Sequence, residues 1–153
     1  TASLFGASAY IGAKTATEEK DYSFDAEQFG RLLGRAFQIR DDMLDFDMSS
    51  IGGKGFGNDI KEKKITLPLI FLLESLNESD RERLLGFIAR EDKTEREIKT
   101  LIEAVCESDC LDKSEEEVRH YSLLAKQHLQ LLPDNEYRKK LEELTDYLVL
   151  RKL

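Results

Sequence analysis

The sequence predicts an all-α fold. Hydrophobic residues recur at helical spacing along nearly the whole chain, and no segment shows the alternation of period two that marks a β-strand. The 153 residues include only two prolines and nine glycines, too few for the many turns of a β-sandwich. Because 41% of the residues are hydrophobic, including eight Phe and five Tyr, the chain can bury a core and is not intrinsically disordered.

The first helix is predicted over residues 2–17, with a stripe of small side chains along one face. Ala2, Gly6, Ala9 and Ala13 make up this stripe. Small side chains let a neighbouring helix, or a slender ligand, approach the backbone closely. Helix packing is the favoured interpretation, and a ligand channel is the alternative.

The second helix is predicted over residues 25–47, where the helical spacing of apolar residues is strongest. Asp25 is the expected N-cap. Gly30 and Gly34 are one turn apart and again allow close helix contact. A break over residues 49–57 follows, because it holds four of the nine glycines.

The later helices are predicted from their N-terminal capping signals and from Pro133, which breaks the chain. The predicted segments are residues 67–76 after Thr66, with Pro68 in the first turn; 80–90 after Ser79; 95–107 with the capping box Thr94–Glu97; 115–132 with the capping box Ser114–Glu117; and 135–151.

Charge, apolar runs and cysteine count exclude several classes of protein. A net charge of −8 would repel the phosphate backbone, so we expect no nucleic-acid partner. The longest apolar run, residues 69–73, is far shorter than the ~20 residues of a membrane-spanning helix. Cys106 and Cys110 are expected to be reduced thiols of a cytoplasmic protein, since a zinc site with His120 and His128 fits no common ligand spacing.

An aspartate cluster stands at the predicted end of the second helix. Asp41 and Asp45 are one turn apart on the same helix face, and Asp42 flanks that face. The three carboxylates repel one another and lie near the negative end of the helix dipole, so local physics disfavours the cluster. A bound cation would reverse that balance, and carboxylate oxygens suit Mg²⁺.

A basic, glycine-rich segment follows the aspartates. Residues 54–64 carry four lysines against two acidic residues, a net charge of +2 in an acidic protein. Glycines permit close backbone approach to a phosphate, and lysines supply positive charge. Carboxylates and lysines together favour a metal–diphosphate site, while a solvated helix end is the alternative.

Four segments resemble elements of one family, the polyprenyl synthetases (trans-isoprenyl diphosphate synthases). Residues 37–45, F-Q-I-R-D-D-M-L-D, resemble its second aspartate-rich motif, and residues 53–60, G-K-G-F-G-N-D-I, resemble the loop after it. Residues 62–69, E-K-K-I-T-L-P-L, are similar to its E-G-K-x-T-L-P-L element, with Lys63 where the family has Gly. Residues 1–5, T-A-S-L-F, are similar to the tail of its K-T-[AG]-x-L-F motif.

The resemblance implies an isoprenoid synthase-type helical bundle around a central cavity. It implies Mg²⁺-dependent condensation of isopentenyl diphosphate with an allylic prenyl diphosphate. Metal-bound aspartates would draw off the allylic diphosphate, the isopentenyl double bond would attack the resulting carbocation, and a proton would then be lost to the released diphosphate. If the small-residue stripe lined the channel, the product would be a long chain.

The resemblance also assigns roles to individual residues. The implied metal ligands are Asp41, as the principal ligand and a catalytic residue, with Asp42 and Asp45 in support. The implied diphosphate contacts are the catalytic residues Lys54 and Lys64, with Lys63 as the alternative to Lys64. Phe37 and Gln38 would line the substrate pocket, and Thr1 would help position the diphosphate.

We interpret residues 1–153 as the C-terminal part of a single polyprenyl synthetase domain. Residues 1–73 carry the motifs, and residues 74–153 are expected to be supporting helices. The chain contains no first aspartate-rich motif, so we expect it to be inactive alone. Family members are commonly homodimers. The alternatives are a non-catalytic subunit or regulator of a prenyl synthase and, less favoured, a helical interaction domain.

Overall fold

A computed structural model describes residues 1–16, 20–47 and 56–150. Every regular element in these ranges is a helix, which confirms the all-α prediction. The helices are α1 (Ala2–Thr15), α2 (Ser23–Leu44), α3 (Asn58–Lys61), α4 (Leu67–Ser75), α5 (Glu78–Ala89), α6 (Glu95–Glu107), α7 (Cys110–Leu129) and α8 (Glu136–Leu150). None of these helices is long and apolar enough to cross a membrane.

The chain divides into two compact units. The first unit comprises Thr1–Arg40 and Glu116–Lys152, and the second comprises Asp41–Glu115. The first unit therefore holds α1, most of α2 and α7, and α8. The second unit holds the last turn of α2 and the helices α3 to α6.

Close packing of α1 on α2 organises one side of the first unit. A Cβ atom on Gly30 would lie 2.5 Å from the Phe5 carbonyl oxygen and 2.9 Å from the Cα of Gly6. A Cβ atom on Gly34 would lie 2.8 Å from the Cα of Ala2. The two glycines of α2 thus face the start of the small-residue stripe, which confirms helix packing as the role of Ala2 and Gly6.

Helices α7 and α8 complete the first unit through polar contacts. The Arg35 guanidinium lies 5.6 Å from the centre of the Tyr121 ring, which joins α2 to α7. The Arg40 guanidinium is buried and donates a hydrogen bond to the Val149 carbonyl oxygen at 3.1 Å, which joins α2 to α8. Lys126 of α7 forms an ion pair with Asp146 of α8.

The second unit has a continuous apolar core. It is built from the residues just after α2, from helices α3 to α6 and from the first residue of α7, and its buried members include Phe46, Ile60, Leu69, Ile88 and Ile98. Helix α6 buries one face only: Ile98, Leu101, Ile102 and Val105 are buried, while Lys99 and Thr100 are exposed. This pattern is an example of the helical spacing of apolar residues from which the all-α fold is predicted.

The helix caps show where local sequence signals hold. The capping box of Thr94 and Glu97 is present, as predicted. The prediction for Ser114 is wrong, because α7 already begins at Cys110 and the Ser114 hydroxyl donates to the Cys110 carbonyl oxygen inside the helix. Ser79 is not the N-cap of α5; Asn77 is, and its side chain accepts the Asp80 N–H.

The start of α2 also differs from the prediction. The helix begins at Ser23, whose N–H donates to the Asp21 carboxylate at 2.9 Å. Asp25 lies in the first turn instead of at the cap, and its carboxylate is 3.2 Å from His128 Nδ1 of α7. Thr66 is at the N-cap of α4 as predicted, although its side chain makes no capping hydrogen bond.

Candidate functional site

The predicted pocket residues of the first unit lie together. The Thr1 hydroxyl donates a hydrogen bond to the Gln38 side-chain oxygen, which ties the N-terminus of α1 to α2. The Phe37 ring is 5.5 Å from the Phe5 ring, centre to centre. Two segments 37 residues apart in sequence therefore form one surface, as their shared resemblance to the same family implies.

A cavity of about 380 Å³ opens in the same unit, towards the other ends of α1 and α2. Its walls include Ala9 and Ala13 of the small-residue stripe, and Ala26 and Phe29 of α2. The stripe thus has two parts. Ala2 and Gly6 serve close helix packing, whereas Ala9 and Ala13 border open, mainly apolar space.

Asp41 and Asp42 stand in the last turn of α2 and Asp45 follows directly after the helix, all three in the second unit. Asp41 is exposed, whereas Asp42 and Asp45 are both half-buried. No three His, Cys, Asp or Glu side chains of the described ranges are grouped so that they could hold a metal ion. The three aspartates therefore do not form a ready three-ligand cage. Mg²⁺ does not require one, because it commonly binds one or two carboxylates and fills its other positions with water and phosphate oxygens.

Asp45 holds the start of α3. Its Oδ1 accepts the N–H of Asn58 at 2.8 Å, its Oδ2 accepts the N–H of Asp59 at 2.9 Å, and its carbonyl oxygen accepts the N–H of Gly57 at 3.2 Å. Burial raises the pKa of the Asp45 carboxyl above its usual value, and the two backbone hydrogen bonds oppose that rise.

Helix α3 is a short element absent from the sequence prediction. Gly57 precedes it with a φ of +64°, a conformation that glycine adopts without strain. A Cβ atom at this position would clash with Ile98 Cγ2, so the packing also requires glycine. The chain therefore turns tightly at residue 57 and presents the lysines that follow.

Lys63 and Lys64, two of the predicted diphosphate contacts, are adjacent residues that follow α3. The Lys64 ammonium lies 2.7 Å from Glu62 and 3.0 Å from Asp59. These two carboxylates, Glu62 first, raise the pKa of Lys64, so it is protonated throughout the physiological range. Lys63 forms an ion pair with Glu91 instead. The third predicted lysine, Lys54, lies outside the described residues.

The thiols and histidines do not converge on a common site in the described ranges. Cys106 and Cys110 are both free, as predicted. The Cys106 Sγ lies 3.4 Å from the Phe46 carbonyl oxygen, and partial desolvation of the sulfur, followed by the negative charge of Asp47, raises the pKa of the thiol. Cys110 is buried in the apolar core of the second unit.

The contacts that organise residues 57–64, the lysine segment, do not appear among the predictions from sequence. Asp59 accepts from Lys64 both at its carboxylate, at 3.0 Å, and at its carbonyl oxygen, at 2.8 Å. Glu91 pairs with Lys63 from 28 residues away. Asp59 and Lys64 are only five residues apart, so opposite charge at short separation was the available signal for their contact, but nothing in the local sequence points to Glu91.

Comparison with known proteins decides the family. The sequence profile of the family described as polyprenyl synthetase matches residues 1–105. The chain belongs to the polyprenyl synthetase family. The match extends beyond residues 1–73, where the recognisable motifs lie, into α6.

Individual relatives agree with the polyprenyl synthetase assignment. The prenyl transferase of Synechocystis sp. is 34% identical over 99% of this chain and 46% of its own length. The crystal structure of heptaprenyl diphosphate synthase from Staphylococcus aureus matches all of this chain and 48% of that one, with a TM-score of 0.88 and 28% identity. The chain thus spans about half the length of the relatives it matches.

A third relative carries ligands. The polyprenyl synthase of Caulobacter crescentus, solved in complex with calcium and isoprenyl diphosphate, is 34% identical, with a TM-score of 0.80. The match covers 98% of this chain and 46% of that one.

The backbone at Lys63 explains a departure from the polyprenyl synthetase pattern. Lys63 has a φ of +60°, a left-handed conformation that residues other than glycine adopt only with strain. The E-G-K-x-T-L-P-L element has Gly at this position. The structure thus retains the backbone turn for which glycine is suited, although the residue has changed. Lys64 then occupies the position of the lysine in that element.

Proposed function

We propose that this chain forms part of a Mg²⁺-dependent prenyltransferase that condenses isopentenyl diphosphate with an allylic prenyl diphosphate. The observation that carries the proposal is the joint placement, in the second unit, of the Asp41–Asp42 pair and the lysine segment around α3. The calcium and isoprenyl diphosphate in complex with the Caulobacter crescentus synthase support a divalent cation and a diphosphate as ligands of this fold.

Asp41 and Asp42 are the residues that fit a metal ion. Both are carboxylates at the end of α2, and Asp41 is exposed. When bound, Mg²⁺ neutralises charge on the departing diphosphate. Two carboxylates suffice for this ion, which keeps water and phosphate oxygens in its other positions.

Lys64 is the diphosphate contact that the geometry favours over Lys63. Lys63 has a left-handed backbone and pairs with Glu91, whereas Lys64 is anchored next to Asp59 at the end of α3. The Lys64 ammonium stays charged and would bind the diphosphate as a fixed positive group. Lys54 is proposed as the second lysine on the resemblance alone.

Thr1, Phe37 and Gln38 are proposed to bind the substrate near its reacting end. The Thr1 hydroxyl already donates to Gln38, so the amide group of Gln38 is held in one orientation. The Phe5–Phe37 ring pair adds an apolar wall beside these polar groups. We propose that the complete enzyme is a cytoplasmic homodimer, and that the 153-residue chain alone has no turnover because it lacks the first aspartate-rich motif.

The test is prenyl transfer from isopentenyl and farnesyl diphosphates, with and without Mg²⁺. The chain is assayed alone and mixed with the N-terminal half of the Synechocystis prenyl transferase. We expect Mg²⁺-dependent turnover only in the mixture, abolished by Asp41→Ala and retained by Asp92→Ala, an exposed aspartate elsewhere in the second unit.

Turnover by the chain alone would contradict the proposal that activity requires the first aspartate-rich motif. A mixture whose activity is unaffected by Asp41→Ala would contradict the proposed metal ligand. No activity in the mixture, with no binding of inorganic diphosphate to the chain, would favour a non-catalytic subunit.

A further inference from the structure

Asp45 is joined to the lysine segment by three hydrogen bonds. Its two carboxylate oxygens accept the N–H groups of Asn58 and Asp59, and its carbonyl oxygen accepts the N–H of Gly57. The N–H groups at the start of a helix have no partner within the helix, and a carboxylate satisfies them well. Asp45 therefore fastens the end of α2 to the start of α3.

The contacts continue from Asp45 to a proposed diphosphate contact. Asp59, whose N–H is held by Asp45, accepts hydrogen bonds from the Lys64 ammonium at 3.0 Å and from the Lys64 backbone N–H at 2.8 Å. Lys64 is thus fixed to the end of α2 through a single intermediate residue. If the Asp45 carboxylate were displaced, Asp59 would lose this anchor, and Lys64 would no longer be held in its present orientation.

The same geometry sets Asp45 apart from Asp41. The Asp41 side chain is exposed, whereas Asp45 is half-buried and each of its oxygens already accepts a strong, charge-assisted hydrogen bond. In the described ranges, Asp41, Asp42 and Asp45 are not grouped as a three-ligand metal site.

We propose that Asp45 is a positioning residue that holds the lysine segment of residues 57–64 against the end of α2, and that it is not a metal ligand. This inference rests on the proposed function, which supplies the diphosphate and the metal ion. It replaces the expectation that all three aspartates of the motif share the metal.

The test measures two kinds of binding and one structural contact on the 153-residue chain. Calorimetry measures the affinity for Mn²⁺ and for inorganic diphosphate, and NMR measures the exchange rates of the Asn58 and Asp59 amide protons. The variants are Asp45→Ala, Asp45→Asn, Asp41→Asn and Lys64→Gln. Asp45→Asn keeps one acceptor oxygen in place, so it tests rescue by a conservative change.

We expect Asp45→Ala to speed exchange of both amides by about tenfold or more, since each loses a charged acceptor. It should weaken inorganic diphosphate binding as much as Lys64→Gln does, while the Mn²⁺ affinity stays near that of the wild type. Asp45→Asn should restore much of the diphosphate affinity. Asp41→Asn should show the opposite pattern, with weakened Mn²⁺ binding and unchanged amide exchange.

Two results would overturn the inference. One is an Asp45→Ala variant that binds Mn²⁺ as weakly as Asp41→Asn does. The other is unchanged exchange of the Asn58 and Asp59 amides in Asp45→Ala. A wild-type chain that binds neither Mn²⁺ nor inorganic diphosphate would contradict the proposed function instead, and the amide exchange rates would still decide whether Asp45 holds the segment.

Discussion

Gly30 lies so close to Phe5 that a Cβ atom on residue 30 would come within 2.5 Å of the Phe5 carbonyl oxygen. The obstructing atom belongs to the backbone, so it cannot move aside as a flexible side chain would. Helices α1 and α2 would have to separate. The same pair of helices holds the Thr1 hydroxyl against the Gln38 side chain. The geometry of the proposed substrate site therefore depends on the close packing of α1 on α2.

We therefore expect Gly30→Ala to lower the free energy of unfolding by about 1–3 kcal/mol, the usual penalty of overpacking. Urea denaturation followed by circular dichroism measures this change. Gly12→Ala is the matched control, because Gly12 is in α1 and a Cβ there would meet no atom within 4 Å. It should be neutral or stabilising by up to about 1 kcal/mol, since Ala favours helix. Equal effects of the two substitutions would refute close packing at Gly30.

The Thr94–Glu97 capping box predicts a pH-dependent contribution to stability. Hydrogen bonds from the Thr94 N–H and hydroxyl, and then from Arg90, lower the pKa of Glu97 from 4.5 to about 2. The unfolded state therefore binds more protons between these two values. This contribution is complete above the unfolded-state pKa of 4.5 and is lost as the pH falls towards about 2.

We expect Glu97→Gln to flatten the stability profile over that acid window and to lower the stability at neutral pH. Thermal unfolding at a series of pH values from the acid window to neutrality measures the profile. Glu95→Gln is the control, because Glu95 lies in the same first turn of α6 but is not a member of the capping box. A wild-type profile that is flat across the acid window would contradict the capping box.

Sequence predicts features whose partners are near in the chain. The capping box is one example, since Thr94 and Glu97 are three residues apart and their types alone define the motif. Ser114 and Glu117 match the same pattern, yet α7 starts at Cys110, five residues before the predicted start at residue 115. The Ser108 hydroxyl accepts the Cys110 N–H at that earlier start, so a second local polar group competes with the predicted cap. Helix type is predicted well for the same reason, because periodicity is a local property.

The rest of the site depends on contacts between distant residues. Asp45 bonds to backbone groups 13 and 14 residues away, and its residue type alone is equally consistent with a metal ligand. Arg40 appears in sequence as a charged neighbour of the aspartates, but it is buried and donates to Val149, 109 residues away. Side-chain partners of this kind follow from the packing of the helices and cannot be read from spacing.

The left-handed backbone at Lys63 predicts an unusual stabilising substitution. A φ of +60° strains a residue that carries a side chain. The strain is about 1–2 kcal/mol, and glycine removes it. Lys63→Gly should therefore raise the free energy of unfolding. The gain is reduced slightly because the substitution also removes the ion pair with Glu91, which is exposed and contributes little. Lys61→Gly is the control, because Lys61 is helical and its replacement should cost about 0.5–1 kcal/mol. Urea denaturation of both variants measures the difference.

The same substitution separates the two candidate lysines. Inorganic diphosphate binding should survive Lys63→Gly and fall in Lys64→Gln, because Lys64 is the proposed contact. Calorimetry on the two variants makes the comparison. Loss of binding in Lys63→Gly alone would transfer the role to Lys63.

The cavity in the first unit predicts a change of product length. Ala9 lines this space of about 380 Å³, and Ala9→Phe would fill a substantial part of it with an aromatic ring. If the growing apolar chain enters this cavity, a complete synthase containing this chain should release shorter products when Ala9 is replaced by Phe. Chromatography of the dephosphorylated products measures their length. Ala89→Phe is the control, because Ala89 is exposed at the end of α5 and does not line the cavity. Unchanged products from Ala9→Phe, at unchanged turnover, would show that the growing prenyl chain does not enter this cavity.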